Sequence, residues 1–314
     1  MTASIGVVQK QRGRVLAGDL LRRADIAIYR AKVEGKARYV VFEEGMDTQA
    51  LRRLDLENDL RRAIEAQEFV VHYQPQVTLE SGDLTGLEAL VRWEHPEKGL
   101  IHPIDFIPIA EDIGAVRELG LWVLEEACRQ AMSWDSEGVL EQATVLSVNI
   151  SPRQLDDPQI VARVAAALAR TGFPANRLAL EITESVLLSE SRTIADKIAA
   201  LRSLGIRIAI DDFGTGYASL TYLTRIPVDF LKIDQRFVSG LERDDESKSI
   251  VLALVNLSRW LEIEVIAEGV ESRAQLSHLL ALGCRQGQGF LFAKPLSADD
   301  ARVYLENARK QLVA

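Results

Sequence analysis

The sequence predicts an α/β fold: a modified (β/α)8, TIM-like barrel with an antiparallel first strand pairing, plus a small N-terminal α/β fragment. Three observations predict it. From about residue 69 onward, apolar β-rich runs alternate with longer helical stretches, the rhythm of a mostly parallel sheet covered by helices. Eight such runs and their helices fill roughly 240 residues, the size of such a barrel. The first two runs are separated only by a short polar turn around Ser81-Gly82-Asp83, with no room for a helical crossover, so they pair as a hairpin.

Residues 1–48 form a separate piece, with a strand at Ser4–Val8, an amphipathic helix at Leu20–Lys32 and a strand at Arg38–Phe42. So short a piece rarely builds a core of its own. Residues 49–314 carry the barrel, with strands at Phe69–Val77, Leu84–Trp93, Thr144–Ile150, Leu178–Thr183, Ile206–Asp211, Phe230–Asp234, Glu264–Glu268 and Gly289–Phe292. Apolar residues three and four apart mark helices at Leu121–Trp134, Pro158–Ala169, Ser191–Leu204, Lys248–Leu261 and Ala301–Leu312. The charged stretch Arg52–Arg62 reads as a solvated helix face joining the two pieces.

Composition narrows the function. Apolar residues at 47% and charged residues at 26% predict a folded core. A net charge of -9 argues against polymeric nucleic acid, whose binding relies on Lys and Arg displacing counterions from phosphates. The two cysteines, Cys128 and Cys284, offer neither a disulfide framework nor zinc spacing, as expected of buried thiols in a reducing cytoplasm. His72, His95, His102 and His278 do not form a spaced metal set. No secretory leader and no apolar run of membrane-spanning length is read, so this chain is expected to be soluble.

Acidic or amide residues recur at or near the C-terminal ends of strands: Glu88, Asn149, Glu181, Asp211, Asp212 and Glu268. In a barrel those ends share one mouth. Each acid alone reads as a surface charge or a helix cap. Convergent carboxylates repel unless cations lie between them, and oxygen donors favour Mg²⁺, Mn²⁺ or Ca²⁺ over zinc or copper. Asp211 and Asp212 end an apolar strand and run into Phe213-Gly214-Thr215-Gly216, a turn that lets backbone approach a ligand. Lys232 lies inside the apolar strand Phe230–Asp234, where an ammonium needs a partner. It reads either as a structural ion pair or as a group that orients water and neutralises a phosphoryl charge. Arg92 suits a phosphate through its planar fork, with a rim salt bridge as the alternative.

Glu88-Ala89-Leu90 with Val91-Arg92 resembles the motif that names EAL domains, and the likeness extends much further. It takes in Tyr73-Gln74-Pro75, Pro103 with Phe106-Ile107-Pro108 and Ala110-Glu111, Val148-Asn149-Ile150-Ser151 and Glu181-Ile182-Thr183-Glu184. Asp211–Gly216, Leu231-Lys232-Ile233-Asp234, Glu268-Gly269-Val270-Glu271 and Gln288-Gly289-Phe290 with Pro295-Leu296 complete an ordered set over roughly residues 50–314. The resemblance implies a metal-dependent phosphodiesterase that hydrolyses cyclic di-GMP to linear pGpG in bacterial signalling. It implies two divalent cations, Mg²⁺ or Mn²⁺, held by Glu88, Asn149, Glu181, Asp211 and Asp212, with Glu268 beside the water they hold. Lys232, Glu268 and Glu88 take the catalytic roles. Gln74, Arg92, Asp234 and Gln288 match nucleotide contacts, and Glu271 matches a residue that shapes the loop after Asp212. Phe290 departs from a common tyrosine, losing a hydroxyl but no ligand.

Ser4-Ile5-Gly6-Val7, Arg23–Lys32 and Gly35 resemble the C-terminal end of a GGDEF domain without its GGDEF loop, implying a remnant with no cyclase activity. The same likeness implies a longer parent protein, whose missing upstream regulator, a membrane-attached one included, is not in this chain. Similar domains dimerise through the region after the Asp-Asp loop, here Tyr217–Arg225. Two rival readings remain. A cyclic di-GMP receptor without catalysis would show a lost metal ligand or a lost Asp211–Gly216 loop. A barrel glycosidase would use two carboxylates, leaving Asn149, Asp212 and Lys232 unexplained, and Trp93, Trp122, Trp134 and Trp260 sit mostly in helical patterns rather than at strand ends. Glu184 is read as structural.

Overall fold

The computed structural model describes residues 3–9, 17–33, 37–43, 46–188, 192–214 and 227–313. Contacts divide the chain into two units, Met1–Ala66 and Gln67–Ala314. In the first, β1 (Ile5–Val7) and β2 (Tyr39–Val41) pair in parallel across the helix α1 (Ala17–Val33), and α2 (Met46–Ala66) completes the unit. Gly6 lies so close to α1 that a Cβ would stand 2.3 Å from the Ala24 carbonyl oxygen, which is why only glycine fits there.

The second unit is a closed eight-stranded barrel. Its strands are β3 (Phe69–Thr78), β4 (Leu84–His95), β6 (Val145–Asn149), β7 (Leu178–Thr183), β8 (Arg207–Phe213), β9 (Phe230–Ile233), β10 (Glu264–Ala267) and β11 (Gln286–Gly287). Neighbours run in the order β3-β11-β10-β9-β8-β7-β6-β4, and the β3–β4 pairing closes the ring. Only β3 is reversed: it is antiparallel to both β4 and β11, whereas every other barrel pair is parallel. The short turn after Thr78 therefore did predict the unusual closure. The short strand β5 (Gly99–Ile101) extends β4 outside the ring.

Helices α3 (Pro103–Asp112), α4 (Val116–Ser136), α5 (Pro152–Leu155), α6 (Ile160–Thr171), α7 (Glu184–Leu188) and α8 (Arg192–Ser203) follow the first strands. Then come α9 (Gln235–Gly240), α10 (Asp245–Leu261), α11 (Arg273–Leu282) and α12 (Ala298–Val313). Their starts are chemically marked. Ser151 and Ser272 form capping boxes with Gln154 and Gln275, and the Asp244 carboxylate accepts from the Ser247 N–H at 2.6 Å. Among the described helices none is long and apolar enough to cross a membrane.

One expected strand is corrected. The last strand is Gln286–Gly287, and Gly289–Phe292 is a turn, with the Phe292 and Ala293 N–H groups both donating to the Gly289 carbonyl at 3.1 Å. Gly289 is pressed onto the Val270 backbone, where a Cβ would lie 2.2 Å from the Val270 nitrogen. That contact bends the chain out of the sheet before Phe290. The helices α3 and α11 and the strand β5 were not read from the sequence. The segment Tyr217–Arg225, expected at a dimer contact, lies outside the described residues.

Candidate active site

Side chains two apart on a strand share a face. Val145, Ala179, Ala209, Phe230 and Ile266 form a buried apolar cluster inside the barrel. Two residues further along β7, β8, β9 and β10 stand Glu181, Asp211, Lys232 and, just past the end of β10, Glu268. An apolar floor thus supports a charged layer at the barrel mouth.

Lys232 is fully buried at the centre of that layer. Its Nζ lies 2.6 Å from Glu181 Oε2, 2.7 Å from Glu268 Oε1, and 3.3 Å from both Glu88 Oε2 and Asp211 Oδ1. The Asn149 amide donates to Glu88 Oε1 at 2.9 Å. Gln288 Nε2 donates to Glu88 Oε2 at 2.6 Å and to Glu268 Oε1 at 3.1 Å. Four carboxyl groups share one ammonium, so without further cations some of them must hold protons.

Asp212 joins the layer through an irregularity. Regular alternation would point Asp211 and Asp212 to opposite faces. The β8–β9 register slips between Ile210 and Phe213, and Asp212 adopts a left-handed φ of 55°, an unusual conformation for aspartate. Asp211, Asp212 and Glu268 consequently each bring a carboxylate oxygen within 4.8 Å of the others. The turn that follows is held by Glu184, whose Oε2 accepts from the Gly214 N–H at 2.9 Å. Gly214, at φ 99°, lies against the Phe237 ring, 2.8 Å from where a Cβ would be.

The titration of these groups follows from burial and proximity. Burial raises Glu268 to about 8, helped by Asp211 and Glu88 and opposed by Lys232. Burial and the Glu88 charge push Glu181 well above the usual carboxylate range. Burial, with Asp211 and Asp234 nearby, raises Asp212 to about 6. Burial works the same way on Glu88, but the Lys232 charge and the Gln288 and Asn149 amides outweigh it and hold the group low. Burial alone would lower Lys232, yet Asp211, Glu181, Glu268 and Glu88 hold it firmly protonated.

The donors fit a hard divalent cation. They are carboxylate and amide oxygens, and Glu181 Oε1 is buried with no hydrogen-bond partner among the described residues. Glu88, Asn149, Glu181, Asp211, Asp212, Lys232, Glu268 and Gln288 therefore meet in one place. Asp234 caps α9 through the Arg236 N–H at 2.6 Å and stands beside Asp212. Gln74 faces Glu88 across the hairpin and donates to the Ala293 carbonyl at 3.1 Å. Arg92 is buried further along β4, and its Nη1 donates to the Val91 carbonyl at 2.8 Å. Glu271 is exposed and outside the cluster, and most of the loop it was expected to shape lies outside the described residues.

Glu184, read from the sequence as structural, holds the turn after Asp212 from 30 residues away. Sequence reading missed two features. Gln76 donates through its Nε2 to Gln288 Oε1 at 3.0 Å. Beside Asn149, a largely apolar cleft of about 390 Å³ runs between β4, α3 and α4, lined by Leu90, Pro103, Ile107 and Val116 among others. Its signal, the proline-bounded run Pro103–Pro108, was visible only as a motif.

The model of the EAL domain family matches residues 57–295. The bifunctional diguanylate cyclase/cyclic di-GMP phosphodiesterase MucR of Pseudomonas aeruginosa is 41% identical over 299 residues, covering 95% of this chain and 43% of that protein. The cyclic di-GMP phosphodiesterase PdeR of Escherichia coli is 39% identical over 297 residues, covering 95% of this chain and 44% of that protein. The chain thus spans less than half the length of these curated relatives. The solved structure of the PaMucR phosphodiesterase in complex with c-di-GMP superposes with a TM-score of 0.76 at 42% identity, covering 79% of this chain and 99% of that one. With the acid-lined barrel mouth and its reversed strand, these likenesses establish that the chain belongs to the EAL domain family.

Proposed function

We propose that this chain is a cytoplasmic, metal-dependent phosphodiesterase that hydrolyses cyclic di-GMP to linear pGpG. The observation that carries the reading is the buried ring of Glu88, Glu181, Asp211 and Glu268 around Lys232, in which four carboxyl groups share one ammonium and Glu181 Oε1 has no hydrogen-bond partner among the described residues. Glu88, Asn149, Glu181, Asp211, Asp212 and Glu268 would hold two divalent cations, Mg²⁺ or Mn²⁺. When bound, such a pair activates water and neutralises charge at phosphorus.

The chain's own residues do the rest. Lys232, held protonated, orients the attacking water and offers positive charge to the phosphoryl oxygens. Hydrolysis adds the water oxygen to phosphorus, breaks one P–O3′ bond and leaves the proton on O3′. Arg92 suits the phosphate, Gln74 and Asp234 supply polar contacts to the nucleotide, and Gln288, whose NH2 is committed to Glu88 and Glu268, holds those carboxyl groups in place. The apolar cleft along α3 suits the face of a guanine. Glu184, and Glu271 through the segment beyond Gly214, keep the Asp211–Asp212 turn in its working shape.

We infer further that residues 1–48 are the C-terminal remnant and linker of a GGDEF-like domain preceding the EAL domain of residues 49–314. The parallel β1–β2 pair across α1 and the match to MucR over 95% of the chain support it. A homodimer through Tyr217–Arg225 belongs to the same reading.

The alternative is a cyclic di-GMP receptor without catalysis, which the full set of oxygen donors disfavours. Incubation of the purified chain with cyclic di-GMP under Mg²⁺, Mn²⁺ or chelator, followed by chromatography, decides between them. The enzyme releases pGpG with either metal and none in chelator. Tight binding of intact nucleotide under every condition establishes the receptor.

A further inference from the structure

Gln76 is a buried amide in an unexpected place. It lies on β3, one pleat repeat below Gln74, opposite Gly86 of β4, at the level where the barrel interior turns apolar. Only 2% of it is exposed, and a buried amide is costly unless its hydrogen bonds are used. Its Nε2 donates to Gln288 Oε1. Both hydrogens of the Gln288 amide are then committed upward, to Glu88 Oε2 and to Glu268 Oε1.

A glutamine amide is nearly symmetric in shape but opposite in polarity at its two ends. Flipped, Gln288 would set its carbonyl oxygen against two carboxylates and its NH2 against the Gln76 NH2. The donor from below therefore reinforces the orientation, favoured also by the two carboxyl groups above, in which Gln288 bridges Glu88 and Glu268. A second feature is matched to it. A Cβ at Gly86 would stand 2.4 Å from Gln76 Oε1, so the glycine leaves the space that the Gln76 side chain occupies.

We propose that Gln76 is a positioning residue: by donating to Gln288 it fixes the amide that spaces and orients the carboxylates of Glu88 and Glu268, and Gly86 is the glycine that admits it. This rests on the metal-dependent reading above only for its effect on metal affinity. The amide orientation itself requires no metal.

The test uses the full chain with Gln76→Leu, Gly86→Ala, Gln288→Ala and the double variant Gln76→Leu/Gln288→Ala. Two quantities are read: the NMR signals of the Gln288 side-chain NH2, assigned by their loss in Gln288→Ala, and Mn²⁺ affinity by calorimetry without nucleotide. Melting temperature checks folding. In metal-free wild type the Gln288 pair exchanges slowly with solvent. In Gln76→Leu it shifts and exchanges faster, and Mn²⁺ affinity falls about tenfold, the size typical of a lost partner behind a metal ligand. Gly86→Ala, whose Cβ would press on Gln76 and, at 3.1 Å, on the Val145 carbonyl, reproduces the effect more weakly. In the Gln288→Ala background Gln76→Leu adds nothing, the signature of action through one partner.

Unchanged Gln288 signals in a folded Gln76→Leu or Gly86→Ala protein overturn the proposal, as does full additivity in the double variant. Wild type that takes up no Mn²⁺ refutes the metal reading, while the amide signals still decide the role of Gln76.

Discussion

The two levels of the barrel interior are built on the same strands, two residues apart, and have opposite chemistry. Ala179, Ala209, Phe230 and Ile266 make a dry floor, and Glu181, Asp211, Lys232 and Glu268 make the charged layer above it. Floor residues contribute stability by removing apolar surface from water. The charged layer contributes little net stability, because desolvating its ions offsets much of their attraction. One pleat repeat thus separates the part of the barrel that holds it together from the part proposed to do chemistry.

That division predicts different consequences for variants at the two levels. The largest stability effect belongs to the floor. Phe230→Ala should cost about 3–5 kcal/mol in urea unfolding by opening a cavity under the site, while the folded fraction keeps its Mn²⁺ affinity. A comparable loss of affinity in folded Phe230→Ala protein would break the separation.

Next comes pH. Glu268 is raised from 4.5 to about 8, so the folded protein binds the extra proton across that window. Its stabilising contribution is complete below 4.5 and disappears as pH rises through about 8. Asp212 acts in the same direction from 3.8 to about 6. Glu88, held low, loses its contribution only as the solution becomes more acidic. In chelator, thermal stability should fall with rising pH at up to roughly 1.4 kcal/mol per pH unit for each such proton, and Mn²⁺ should flatten the slope. Titration of melting temperature with and without Mn²⁺ checks this, and identical slopes would count against an ion site in the acid layer.

The smallest effect is expected at the rim. Glu184→Ala removes the acceptor for the Gly214 N–H, a charge-assisted bond worth about 1.5–3 kcal/mol. Turnover should drop about tenfold or more while the melting temperature falls less than in Phe230→Ala, by roughly 2–4 °C per kcal/mol, because the bond secures a turn rather than the core. A large drop in melting temperature with normal turnover would place Glu184 in the fold instead.

Much of this was legible in the sequence where local rules suffice. The turn at Ser81-Gly82-Asp83 predicted the reversed strand because three residues cannot hold a crossover helix. Glu181, Asp211 and Glu268 were visible because each closes an apolar run, whereas Glu88 lies inside β4 and was visible through its motif. The two-residue β11 was not, since Gln286 and Gly287 have no β-rich pattern and are defined by pairing with Ile266 and Ala267. The left-handed Asp212 was hidden because alternation predicts the opposite facing for its side chain. Gln76, and the partner of Glu184, were missed for one reason: the contacts span 212 and 30 residues, and only the closed barrel brings them together.

The most direct test of the central claim is the Mn²⁺-supported hydrolysis of cyclic di-GMP by wild type and by Glu88→Ala, each first shown to be folded by circular dichroism and melting temperature. The account predicts pGpG release by wild type and none above background by Glu88→Ala. Equal release by the two proteins would contradict it, because the acid ring would then not be the site of the chemistry.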